Sequence, residues 1–366
     1  MKRVPIRTSI VAFVLAVASV VACSRKESPA PRPQSSAPAL ADDMTSGGPD
    51  STRRPPADTA EISRLREDLR RNGPTREVFN RHLPALGARA ILDVLEADSP
   101  SCHAQAHDLG RALMALRQDI GAALRECGTG CTSACMHGAV GEAFGGSDLD
   151  SIAARMNSFC ETGVMRELYP LGNCAHGIGH ALMFASHRDV DAALNVCARF
   201  DKKGMRYYCA TGVYMEMFMG VPPPSPTKGT HEPCLAHPEV AAACYRYRAS
   251  SLVTELGGLD ALQKSCLSQT PALQRGCFHG IGAVLLGFAH TDPAVLSRYC
   301  SAGDRADRTL CVEGAIEKQA DFDREVARSI CAKQTGEIRE FCDTAVKHGM
   351  YDLEKPSLTF YLSDPS

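Results

Sequence analysis

Sixteen cysteines spread over residues 102–342 constrain this chain more than any other feature. From Cys160 onward they fall in pairs: Cys160/Cys174, Cys197/Cys209, Cys234/Cys244, Cys266/Cys277, Cys300/Cys311 and Cys331/Cys342. Within a pair 9–13 residues intervene, and the second cysteine returns every 31–39 residues from Cys135 to Cys342. A period of that size marks stacked supersecondary units, not one central core. The unit shows when QAHDLGRALM (105–114), CAHGIGHALM (174–183) and CFHGIGAVLL (277–286) are laid in register. Each opens an apolar helix. A polar break follows at Arg117–Asp119, His187–Asp189 or Thr291–Pro293, and a shorter helix comes after it. Aspartates at such breaks suit an N-cap, where a carboxylate satisfies orphan N–H groups. Each unit is therefore an antiparallel helical hairpin. The expected fold is all-α, an α-solenoid of about seven or eight disulfide-stapled hairpins. An aromatic content of 6% with no tryptophan fits helices better than a β-sandwich.

Pairing across each loop uses all twelve cysteines from Cys160 to Cys342 and leaves Cys102, Cys127, Cys131 and Cys135. Those four close as Cys127–Cys135, by analogy with the other loops, and Cys102–Cys131. The rival scheme joins helix start to helix end inside each hairpin, as in Cys174–Cys197, and strands Cys131 and Cys342. Loops of about a dozen residues contribute roughly 2–3 kcal/mol each when closed, in the chain-entropy model. Such local staples suit an array in which each hairpin touches only its neighbours.

Residues 1–22 read as an export leader: a basic start at Lys2, Arg3 and Arg7, then an apolar run from Ile10 to Val21 too short for a resident membrane helix. The run ends in Val20-Val21-Ala22-Cys23, which resembles the cleavage box of bacterial lipoproteins. That resemblance implies that Cys23 is lipidated and becomes the new N-terminus. Ser24 after it implies an outer-membrane destination facing the periplasm. Multiple acyl chains anchor stably, and export permits disulfides. Residues 23–58 are rich in Pro, Ser and Ala and read as a disordered tether, with a span of order 30 Å. Residues 59–98 form a helical cap, 99–354 the cysteine-rich repeat domain and 355–366 a C-terminal tail. In the cap, Asn72-Gly73-Pro74 ends a first helix, and Pro84 is the expected break in a second. Forty basic residues against forty-two acidic ones argue against a nucleic-acid partner. The layout over roughly 100–350 loosely resembles disulfide-rich Sel1-type and tetratricopeptide hairpin arrays. The consensus residues of those families are not evident, so the resemblance carries architecture alone.

The register aligns one column of positions, two residues after each second cysteine or its equivalent: His107, His137, His176, Thr211, Arg246, His279, Glu313 and Thr344. Equivalent positions of a solenoid share one face. His103 lies a helical turn before His107, and His180 a turn after His176, so each pair shares a face. His103, His107, His137, His176 and His180 form a candidate metal site for zinc, copper or iron. Glu142, five residues past His137, is a candidate oxygen ligand. The same histidines also read as packing residues, because glycine follows His137, His176 and His279 and lets helices approach. The loop at 161–169 is a candidate cover for the site, the proline-rich stretch from Pro222 to His231 an excursion or partner loop, and Met205, Met215, Met217 and Met219 with Tyr207, Tyr208 and Tyr214 core packing, a methionine copper site being the alternative. No protease His-Glu-x₂-His, haem, phosphate-loop or nucleophile motif occurs. Two functions follow as expectations: a tethered scaffold holding an envelope protein or peptide in its groove, or a histidine-rich metal centre with redox or hydrolytic activity.

Overall fold

The computed structural model describes residues 59–99, 102–219 and 229–362. The leader, Cys23, the tether, the loop at 222–228 and the last four residues lie outside the described residues. All described structure is helical or turn. No helix among the described residues is long and apolar enough to cross a membrane. Helices are numbered along the chain.

The cap consists of α1 (Ala60–Asn72) and α2 (Arg76–Asp98). Thr59 and Thr75 cap them through side-chain oxygens, and Gly73 ends α1. The break in α2 falls at Gly87 (φ 70°, ψ 163°), not at Pro84. Glycine reaches positive φ without a Cβ clash, which makes Gly87 the less costly place to bend.

Eight helices then carry the column positions: α3 (His103–Arg117), α5 (Ala134–Phe144), α8 (Leu171–Ala185), α10 (Lys203–Met219), α11 (Ala241–Leu256), α13 (Pro271–Thr291), α15 (Arg305–Phe322) and α17 (Gly336–Ala345). Each packs on the next along the series. The returning helices α4 (Ile120–Cys127), α6 (Leu149–Glu161), α7 (Gly163–Leu168), α9 (Val190–Cys197), α12 (Leu259–Cys266), α14 (Ala294–Tyr299) and α16 (Arg324–Ala332) complete the hairpins. Asp119, Asp189 and Asp323 cap α4, α9 and α16, each accepting a backbone N–H of the first turn.

The eight disulfides among the described residues are those of the loop-pairing scheme. They join Cys102 to Cys131, Cys127 to Cys135, Cys160 to Cys174 and Cys197 to Cys209. Further along they join Cys234 to Cys244, Cys266 to Cys277, Cys300 to Cys311 and Cys331 to Cys342. Cα–Cα distances are 5.3–5.6 Å throughout, and the rival Cys174–Cys197 pairing does not occur. The place of the second cysteine in its helix needs correction. It does not open the helix: Cys244, Cys277 and Cys311 stand inside α11, α13 and α15, whose first residues are Ala241, Pro271 and Arg305. Local start signals explain the earlier beginnings. Pro271 occupies the first turn of α13, where its missing N–H costs nothing, and Asp304 with Asp307 forms a capping box ahead of α15. All three cysteines are fully buried as a result, so each bridge is tied into the helix layer instead of lying in a surface loop.

Three neighbouring helix pairs approach through reciprocal glycines. A Cβ on Gly110 would stand 1.9 Å from the Cys135 carbonyl oxygen, and one on Gly138 2.0 Å from that of His107. The same exchange recurs between α8 and α10 at Gly179 and Gly212, and between α13 and α15 at Gly282 and Gly314. Backbone meets backbone at these positions, so the column side chains of each pair are drawn together.

The C-terminal stretch from residue 346 to 362 is packed, not loose. Met350, Tyr351, Lys355, Ser357 and the 3-10 turn Leu358–Tyr361 return across the column face, and the turn rests on α10 and α15.

Candidate metal centre

The helices α3, α5 and α8 bring His103, His107, His137, His176 and His180 into one cluster, none of them more than 8% exposed. Ring centroids lie 4.8 Å apart for His103/His107, 4.6 Å for His107/His180, 4.7 Å for His137/His176 and 4.7 Å for His176/His180. Glu216 of α10 joins them, its Oε1 at 2.9 Å from His180 Nδ1. The donor atoms fall into three overlapping triads: His103/His107/His137, His137/His176/His180 and His107/His180/Glu216. Within each triad the donors lie within 4.8 Å of one another, so these groups could hold a metal ion.

The outward nitrogens decide the tautomers. His103 Nδ1 donates to the Cys131 carbonyl at 3.0 Å, which fixes the proton there. His176 Nδ1 donates to Thr211 Oγ1 at 2.7 Å, because that hydroxyl spends its own hydrogen on the Tyr208 carbonyl. His180 Nδ1 donates to Glu216. In each neutral ring the remaining nitrogen is then a bare acceptor. His176 Nε2 and His180 Nε2 face one another at 3.0 Å. A proton on either nitrogen makes that contact a hydrogen bond, and a metal ion would engage the same two lone pairs. His103 Nε2, His107 Nε2 and His137 Nδ1 are buried without a hydrogen-bond partner, a rare condition for polar atoms. His137 holds Asn173 Oδ1 through its other nitrogen at 2.5 Å. Imidazoles pinned on one nitrogen by an oxygen and bare on the other are arranged as metal ligands are.

Burial, and then the positive charge that His180 would carry, push His103 down to about 3. Burial and neighbouring histidines likewise hold His107, His137 and His176 well below 6.5. These rings are therefore neutral at physiological pH, the form that binds a metal. Burial raises the Glu216 carboxyl, but the hydrogen bond from His180 and the charges of His180, Arg111 and Arg188 outweigh it and leave it lowered.

Two expectations about the site need correction. Glu142 turns away from the histidines, because Arg76 of α2 clasps its two oxygens at 2.8 and 3.2 Å. Nor does the 161–169 segment cover the cluster. It forms α7, which packs on α4, and the Tyr169 hydroxyl lies 2.9 Å from the Leu124 and 3.0 Å from the Gly128 carbonyl oxygens. The cover is Tyr351 of the C-terminal stretch, its ring 5.5 Å from His176 and 6.3 Å from His137. Beside it a cavity of about 30 Å³ is lined by His103, Thr211, Arg246 and Tyr351 among others. His279 stands apart, with Glu313 and Glu317. Sequence reasoning missed Glu216, Asn173 and Tyr351. A signal existed for Glu216, which follows Thr211 by five residues as Glu142 follows His137. Met205, Tyr207, Tyr208 and Tyr214 are buried in the core, as packing residues are.

No protein-family model matches the chain, and neither a curated protein nor a solved structure is detectably similar to it.

Proposed function

We propose that this protein is a transition-metal-binding protein of the bacterial cell envelope, held to the outer membrane by lipid on Cys23. The single observation that carries the reading is the buried cluster itself: the donor atoms of five imidazoles and Glu216 form three triads, each within 4.8 Å, and His103 Nε2, His107 Nε2 and His137 Nδ1 have no hydrogen-bond partner. A set of five imidazoles and one carboxylate suits zinc, copper or iron. Every thiol in the repeat region is spent in a disulfide, which leaves nitrogen and oxygen as the principal donors. His103, His107 and His137 would hold one ion; His176 and His180, with Glu216 behind them, would hold it from the other side or hold a second. When bound, the ion supplies a Lewis-acid or redox centre. The chain's own residues orient the rings through Cys131, Asn173, Thr211 and Glu216, and Tyr351 screens them from bulk water. The small cavity beside His103 leaves room for a solvent-sized ligand. The face that a groove-bound partner would need is crossed by residues 346–362, which favours a metal role over a scaffold.

The test is elemental analysis of protein matured in a periplasm-competent host, with Cys23→Ala as the soluble form. The expected result is one or two transition-metal ions per chain, lost on His107→Ala with His176→Ala while all eight disulfides form. Cys23→Ala should lose lipid labelling and membrane association. Wild-type protein that is oxidised, folded and takes up no zinc, copper or iron would end the metal reading and leave the scaffold.

A further inference from the structure

The column repeats its geometry once more, further along the array. Glu313 and Glu317 stand on α15 one turn apart, as His176 and His180 do on α8, and His279 faces them from α13. The reciprocal glycines Gly282 and Gly314 bring these two helices together as in the first centre. His279 is 0% exposed, and neither ring nitrogen makes a hydrogen bond. Its Nε2 lies 3.5 Å from Glu317 Oε1. Both carboxylates are buried as well, at 7% and 1% exposure. Two cations offset them. Arg246 Nη1 is 2.7 Å from Glu317 Oε1, and Lys355 Nζ contacts Glu317 Oε2 and lies 3.6 Å from Glu313 Oε1. The Ser357 hydroxyl donates to Glu313. A cavity of about 340 Å³, lined by Glu313, Glu317, Thr344, His348 and Lys355, opens onto the group.

Arg246 belongs to the inner helix layer, whereas Lys355 belongs to the C-terminal strap. An ammonium held between two carboxylates, next to a buried imidazole 3.5 Å from one of them, occupies the place of a metal ion. We propose that His279, Glu313 and Glu317 form a second divalent-cation site, for an ion of the manganese or iron(II) class, and that Lys355 fills this site in the metal-free chain. One nitrogen and two carboxylates form a harder donor set than the five histidines, so the two sites take different metals. The strap then competes with the ion. Apparent affinity in the wild-type chain is reduced by the fraction of time Lys355 is withdrawn. This proposal does not depend on the five-histidine centre.

Manganese(II) titration of the full mature chain, read as loss of the free-ion EPR signal, tests it. The background is His107→Ala with His176→Ala, so that the first centre is silent and failure there is not confused with failure here. Lys355→Met should take up one manganese ion per chain, at least about tenfold more tightly than the Lys355 parent. Adding His279→Ala should abolish that uptake, and Lys355→Arg should not create it. Folding is checked by disulfide count and helical circular dichroism. A folded Lys355→Met chain that binds no manganese, or binds it equally well with His279→Ala, overturns the site. If Lys355→Met does not fold, the parent decides. At millimolar manganese it should bind the ion more tightly than its His279→Ala and Glu313→Gln variants, and equal binding by all three overturns the proposal.

Discussion

A buried imidazole nitrogen without a hydrogen-bond partner gains little from being there, and His103, His107 and His137 each hold one. His103, His107, His137 and His176 are depressed by burial first and by neighbouring histidines, His180 among them, second. That fixes the sign of a pH effect in the metal-free protein. The unfolded chain protonates its histidines near 6.5, whereas folded His103 waits until about 3. As pH falls through 6.5 the unfolded state takes up protons first. Stability is therefore full above 6.5 and is lost from there toward 3 for His103, by roughly 1.4 kcal/mol per pH unit, and the other three rings act in the same direction. Metal-free protein should melt at a constant temperature between pH 7 and 8 and at sharply lower ones by pH 5, in scanning calorimetry. With zinc present the decline should begin at lower pH, because protons must then displace the ion. A melting temperature flat down to pH 5 without metal would contradict the neutral buried cluster.

At the scale of elements, the glycines and the histidines turn out to be one device. The packing and ligand readings of CAHGIGH compete in the sequence, yet close backbone approach is what brings rings on different helices together. Gly179 shows how little slack remains: a Cβ there would lie 2.2 Å from the Cys209 carbonyl and 2.9 Å from Gly212 Cα. Those are backbone atoms, and Cys209 is tied to Cys197. Gly179→Ala should therefore cost about 1–3 kcal/mol by overpacking and weaken metal binding, whereas Gly146→Ala, with nothing within 4 Å, should alter neither. Equal melting temperatures for the two variants would refute this account. The hairpins, their bridges and the histidine face were legible because cysteine spacing and the helical turn are local regularities. Helix starts were less so: the bridges Cys266–Cys277 and Cys300–Cys311 drew attention to the cysteine, while Pro271 and Asp304 set the boundary. Glu142 was misread for a non-local reason. Its fate is set by Arg76, 66 residues earlier on α2, and no pattern around Glu142 announces that partner. Glu216 sits at the same offset on α10 and has His180 before it instead. Likewise Pro84 is a conspicuous breaker, but the bend went to Gly87, where positive φ is free of strain.

For the molecule as a whole, the C-terminal strap changes what kind of array this is. A solenoid whose hairpins touch only neighbours is nearly one-dimensional, and its ends unfold separately. Here residues after α17 reach back over distant units. Tyr351 meets His137 and His176 on α5 and α8, Phe360 meets Tyr207 and Tyr208 on α10, Met350 meets Arg246 on α11, and Lys355 meets Glu317 on α15. No local pattern signals this, because residues 346–362 have neither the helical period nor a cysteine to place them. Units that are far apart along the array thus share one set of contacts and should open together. The full chain should unfold in a single calorimetric transition. Truncation after Lys347 keeps all eight disulfides but strands Arg246 and Glu317 without Met350 and Lys355, and uncovers the histidines. The truncated chain should melt lower and resolve into more than one transition, with the calorimetric enthalpy exceeding the van't Hoff value. If truncation left a single transition at an unchanged temperature, the strap would be a passive tail and coupling would run through the helix layer alone.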